Sequence, residues 1–93
     1  MRIRIHLEAE ADLLDAYDGL RDKGVAEAFQ AEIARAFDLL LEFPRLGRAY
    51  GSVRSVLIRL FRYRVIYRVE GDEIVILAVA HQSRDEAFWY KRL

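Results

Sequence analysis

Residues 74–80 read Ile-Val-Ile-Leu-Ala-Val-Ala without a polar side chain, and this run constrains the rest of the chain more than any other feature. A stretch this short and this apolar suits a central strand covered on both faces, so a strand is expected over 73–80. Its neighbours are legible from the same logic. Glu70-Gly71-Asp72 supplies a hairpin turn with glycine available for a positive backbone angle. Ahead of it, 62–69 alternates: Tyr63, Val65, Tyr67 and Val69 point one way, and Arg62, Arg64, Ile66 and Arg68 the other. A further β-branched segment, 53–60, is cut off by a tight turn near Phe61.

The first half of the chain changes period. Arg2 to Leu7 alternates with a step of two and reads as a strand burying Ile3, Ile5 and Leu7. From Ala9 to Asp22 apolar residues recur every three or four positions (Ala9, Leu13, Ala16, Tyr17, Leu20), the pattern of an amphipathic helix ended at Gly24. A second helix is predicted over 25–43, with Val25, Phe29, Ile33, Ala36, Phe37 and Leu40 inward and Pro44 as its stop. Residues 44–51 carry turn formers and no period, so they read as a loop. Ser83 and Glu86 have the spacing of a capping box opening a short helix to the end. The predicted architecture is α+β in the order β-α-α-β-β-β-α: a helical hairpin on one face of a mainly antiparallel four-stranded sheet, covering its aromatic side. At 93 residues, a single domain over 1–93 is expected.

Composition excludes several chemistries. There is no cysteine, so disulfides, thiolate metal sites and a cysteine nucleophile are ruled out. His6 and His81 are the only histidines, and no metal site or cofactor is expected. The acidic run Glu8, Glu10, Asp12, Asp15 and Asp18 begins at a helix N-terminus, where the dipole favours carboxylates, and is read that way rather than as a metal site. No apolar run reaches the ~20 residues that span a bilayer, and no signal peptide is legible, so a cytoplasmic location without membrane association is expected. No phosphate-binding glycine loop, His-Glu-x-x-His or nucleophile elbow is present.

Charge carries the strongest functional signal. Residues 1–43 hold five basic and ten acidic side chains, whereas residues 44–93 hold ten basic and five acidic. Arg62, Arg64 and Arg68 share one face of one strand. Arg54 and Arg59 lie on its neighbour with opposite parity, and Arg84, Lys91 and Arg92 follow near the end. Guanidinium forks match phosphate and carboxylate geometry, so this face is expected to bind a partner, against the plainer reading of a solvated sheet face. The candidate partner-binding set is Arg59, Arg62, Arg64, Arg68, His81, Arg84, Trp89 and Arg92. Trp89 has a competing use as a cap on the core. A second surface is expected on the helices: Leu14, Tyr17, Leu39, Leu41 and Phe43 add apolar area beyond the inner stripes.

The ordered set of segments resembles the ParE/RelE superfamily of toxins from type II toxin–antitoxin systems. The resemblance rests on Ala9 to Leu13, Phe43-Pro44-Arg45-Leu46-Gly47, Val53-Arg54, Tyr63 to Val69 and Ile74 to His81. His81-Gln82-Ser83-Arg84, with Trp89 and Arg92 after it, looks like the ParE branch. It implies a toxin neutralised by a ParD-like antitoxin in a hetero-oligomer, with Leu14, Tyr17, Leu39, Leu41 and Phe43 as antitoxin-binding residues. It further implies DNA gyrase as the target of the arginine face. The alternative branch cleaves mRNA on the ribosome, and here would use Arg54, Arg64, His81 and Arg84 for catalysis. Gln82 and Phe88 stand where that branch has a second arginine and a tyrosine, which favours the gyrase reading. A non-toxic antitoxin-binding module is the third possibility.

Overall fold

The computed structural model describes residues 1–93. The elements are β1 (Arg2–Ile5), α1 (Leu7–Arg21), α2 (Ala26–Glu42), β2 (Arg48–Tyr50), β3 (Val53–Ile58), β4 (Tyr63–Glu70), β5 (Glu73–His81) and α3 (Ala87–Tyr90). They build one five-stranded sheet in the order β1-β5-β4-β3-β2. β5 pairs in parallel with β1, while β2, β3, β4 and β5 run antiparallel in succession. The α+β class and the helical hairpin agree with the sequence reading. The sheet, however, has five strands and not four, because Arg48-Ala49-Tyr50 pairs with Ser55, Arg54 and Val53 instead of looping free.

Local chemistry sets the boundaries. His6 ends the first strand early: its Nδ1 accepts the Glu8 N–H at 3.1 Å and caps α1. Leu7 therefore opens the helix, 78% exposed, instead of joining the strand's buried side, and Ile5 is also exposed. Val25 falls at the N-cap of α2 and is exposed, with Ala26 buried in its place. Ser83 and Glu86 do not form the expected capping box. Ser83 Oγ turns back to His81 Nδ1 at 2.8 Å, and α3 is a single turn whose Ala87 N–H is taken by Asp85.

Two apolar layers sandwich the sheet. On the helical side, Ala9, Ala16, Phe29, Ile33, Ala36 and Leu40 pack on Val65, Tyr67, Ile74 and Ile76. Phe29 meets Phe61 and Tyr63 edge-on, with centroids 5.3 and 5.2 Å apart. A bulge then redirects β5: Ile66 pairs with Ala78 and Tyr67 with Ile76, leaving Leu77 as the extra residue. Leu77 and Ala78 therefore both join the second core with Val53, Ile66, Val75 and Trp89. The run 74–80 is buried throughout because each face of β5 has its own cover.

The chain after α2 is fixed from the sheet. Tyr67 is fully buried, and its hydroxyl donates to the Pro44 carbonyl at 2.8 Å and accepts the Gly47 N–H at 2.9 Å. Burial pushes the Tyr67 phenol up, partly opposed by the Gly47 hydrogen bond and the Arg54 charge.

Candidate functional site

The face of the sheet away from the helical hairpin is where sequence places the arginine stripe. Cross-strand register sets Arg48, Ser55, Ile66 and Ala78 in one row over four strands, with Arg64 one pleat away from Ile66 on the same side. Trp89 of α3 lies over the apolar end of this face, only 8% exposed. Trp89 thus closes a core, the competing use that the sequence offered for it, and leaves only an edge to a partner. Between α3 and the strands remains a hollow of about 280 Å³ with Arg48, Arg64 and Arg84 at its wall and Tyr50 and Trp89 in its lining. Tyr50 stands edge-on to Trp89 at 6.0 Å. Arg64 Nη1 donates to Ser55 Oγ at 3.2 Å. All ion pairs of the molecule involve other cations, so these three guanidiniums have no carboxylate partner.

The remaining arginines of the predicted set separate. Arg68 shares the face of Arg64 but pairs with Glu70. Arg62 sits in the β3–β4 turn with φ 56°, its carbonyl accepting the Gln82 N–H at 2.7 Å, so it leaves the strand before the alternation begins. Arg59 lies in the same turn and borders a hollow against α2 that includes Leu39 and Leu60. Arg92 is turned inward and is corrected as a surface contact. Its Nη1 and Nη2 reach the two oxygens of Asp12 at 2.6 and 3.2 Å, and Nη1 also donates to the Leu77 carbonyl at 3.1 Å. Glu8 lies 3.1 Å from its Nε. Asp12 in turn accepts the Val79 N–H at 3.0 Å. β1 ends opposite Ile76, so this ion pair takes the β5 main-chain groups that follow. A charged guanidinium with 8% of its surface exposed requires such a partner, and the Asp12 hydrogen bonds hold it protonated.

The four residues that a ribonuclease reading would use do not meet at one centre: Arg84 shares one hollow with Arg64 and another with His81, while Arg54 stands apart from all three. Arg54 projects on the helical side, opposite Tyr67, where Nη1 donates to the main-chain carbonyls of Gly47 at 2.9 Å and Arg45 at 3.2 Å. Arg64 occupies the other face. His81 lines a separate hollow of about 330 Å³ with Asp15, Tyr63 and Arg84, and its Nδ1 is engaged by the Ser83 side chain and N–H. Arg84 borders both hollows and lies 4.8 Å from the Phe88 centroid, which Arg92 approaches at 4.7 Å.

The helical surface also resolves into parts. Leu14 and Tyr17 line an apolar groove of about 440 Å³ between α1 and α2, together with Leu13, Phe29, Ile33 and Phe37. Leu39, Leu41 and Phe43 are exposed but lie outside this groove. Sequence reading missed Arg48, Tyr50 and Asp12. The first two fall in a three-residue strand too short to show a period, although Gly47 and Gly51 bracket it. Asp12 was hidden within an acidic run, since nothing in the local spacing separates it from its exposed neighbours Glu10, Asp15 and Asp18.

Comparison with known proteins agrees with this architecture. The family model described as ParE toxin of type II toxin–antitoxin system, parDE, matches residues 3–86. Toxin ParE2 of Mycobacterium tuberculosis, in two strains, is 32% identical in an alignment 89 residues long that covers 86% of this chain and 80% of that one. A solved structure of a chromosomal ParDE toxin–antitoxin system from P. aeruginosa superposes with a TM-score of 0.74 at 23% identity, covering 87% of this chain and 95% of its own. With a family model spanning nearly its whole length, this chain belongs to the ParE toxins of type II toxin–antitoxin systems.

Proposed function

We propose that this toxin acts by inhibiting DNA gyrase, and that a ParD-like antitoxin neutralises it by seating on the helical hairpin. The observation that carries the choice of target is the isolation of Arg54 from the other would-be ribonuclease residues, with Arg64 and His81 in different hollows. General acid–base work on a phosphodiester requires groups within hydrogen-bond reach of one reacting centre. Here Arg54 is committed to main-chain carbonyls and Arg64 lies across the sheet from it. An inhibitor that works by docking needs no such convergence. The antitoxin reading is supported by the open α1–α2 groove, with Leu14 61% exposed at its rim. Contiguous apolar surface of this kind on a small protein marks an interaction site. The partners form a hetero-oligomer in the cytoplasm, and residues 1–93 act as one domain. No helix is long and apolar enough to cross a membrane.

The deciding experiment is supercoiling of relaxed plasmid by purified gyrase with increasing toxin. Inhibition is expected, and prior addition of the antitoxin is expected to relieve it. Growth arrest in cells with supercoiling untouched in vitro would overturn the gyrase reading. Codon-positioned cuts in translated mRNA would replace it with the ribonuclease alternative.

A further inference from the structure

We infer that the hollow between α3 and the β2–β4 strands is a receptor for a carboxylate-bearing segment of the target protein, and that Arg48 and Arg64 are its principal anchors. The inference rests on the reading that the sheet face and C-terminal region meet the target, and it names the chemistry recognised there.

Three features select the ligand. First, Arg48, Arg64 and Arg84 converge on one concavity, and none has a carboxylate partner within the chain. Six other arginines do find one: Arg2 and Arg4 share Glu73, Arg21 pairs with Asp18, Arg35 with Glu32, Arg68 with Glu70, and Arg92 with Asp12 and Glu8. The arginines of the hollow are unmatched although the chain has as many acidic as basic residues. A carboxylate arriving from outside gains paired, charge-assisted hydrogen bonds there. Second, the aromatic lining offers little to nucleobases. Trp89 is nearly buried and packs on the second core, and Tyr50, half exposed, stands edge-on to it, so the hollow has no pair of open ring faces between which a base could stack. Third, the charge of the molecule is local. Three guanidiniums, Arg48, Arg64 and Arg84, face one carboxylate, Glu86, in the lining, so the hollow keeps a positive excess. Three cations gathered in one concavity make too short a row to follow an extended polyanion, but they suit a short segment with one or two adjacent carboxylates.

The lone tryptophan lines the hollow, so its emission reports occupancy. Purified full-length toxin is titrated with a capped peptide containing adjacent Asp and Glu, with its Asn/Gln counterpart, and with a single-stranded oligonucleotide of equal charge. The acidic peptide is expected to shift the emission and to bind more tightly than the other two. Arg48→Gln and Arg64→Gln are each expected to weaken it about tenfold, the loss of one charge-assisted contact. Arg45→Gln, an unpaired arginine outside the hollow, is expected to leave it unchanged. Equal affinity in all three variants, or tighter binding of the oligonucleotide, overturns the inference. In Arg48→Gln and Arg64→Gln, antitoxin co-purification is expected to persist while gyrase inhibition falls, and Arg45→Gln is expected to keep both. Lost antitoxin capture with inhibition intact would assign the hollow to the antitoxin and overturn the inference. Normal peptide binding by a wild-type toxin that leaves gyrase untouched would instead defeat only the choice of target.

Discussion

Tyr67 shows how a single side chain can determine the path of a connecting segment. Its hydroxyl reaches from a central strand to Pro44 and Gly47, and Arg54 grips the same segment by two carbonyls. Gly47 is required here for space, not for its backbone angles. A Cβ at this position would stand 2.7 Å from the Tyr67 hydroxyl and 3.1 Å from the Ser55 carbonyl. Gly47→Ala is therefore expected to cost about 1–3 kcal/mol by overpacking, read as a lowered midpoint in urea denaturation. Tyr67→Phe is expected to cost about 1–3 kcal/mol, because it leaves the buried Gly47 N–H without an acceptor. If Gly47→Ala unfolds at the wild-type midpoint, the contact is not tight and the segment moves freely.

At the scale of elements, the C-terminal turn is attached by side chains more than by its own helical length. α3 spans four residues, below the length at which a helix is stable alone. It stays because Trp89 covers the second core and Arg92 is anchored on Asp12 of α1. Removing Asp12 leaves the inward-turned Arg92 with Glu8 as its one carboxylate and the Val79 N–H without its acceptor, so Asp12→Ala is expected to cost about 3–5 kcal/mol. Tryptophan emission in this variant is expected to shift to the red as Trp89 is uncovered, and an unshifted spectrum would show that the apolar contact suffices. This clamp was not legible in the sequence, since Asp12 and Arg92 are 80 positions apart and no local period links them. The hairpin and the strands β3–β5 were legible, because apolar periodicity records burial directly. β2 was not, as three residues cannot display a period. The bulge at Leu77 was also invisible, since every residue around it is apolar and either face would accept any of them. The arginine face was read correctly for Arg64 and Arg68 from alternation, but Arg62 was lost to the turn and Arg92 to the interior.

The whole molecule is closed by its first strand. β1 pairs with β5 in parallel, with Arg2 set opposite Glu73, and the Glu73 carboxylate bridges Arg2 and Arg4. The hydrogen bond from Arg4 in particular holds the Glu73 carboxyl below its usual range. Because the folded state favours the ionised form, the contribution of Glu73 is fully present above the unfolded value near 4.5 and is lost as pH falls through the lower, folded value. The thermal midpoint of wild type is accordingly expected to exceed that of Glu73→Gln near neutrality, with the gap closing in acid. A gap that stays constant across this range would mean that the carboxylate charge plays no part.

The same pairing has a temporal side. The partner of Arg2 lies 71 residues downstream, so during synthesis the strand that leaves the ribosome first has nothing to dock on until almost the entire chain has emerged. Pairing segments so distant in sequence carries a loop-closure cost that slows folding. The nascent polypeptide therefore passes through most of translation with its sheet unfinished, the first strand held without a neighbour until the fifth has been made.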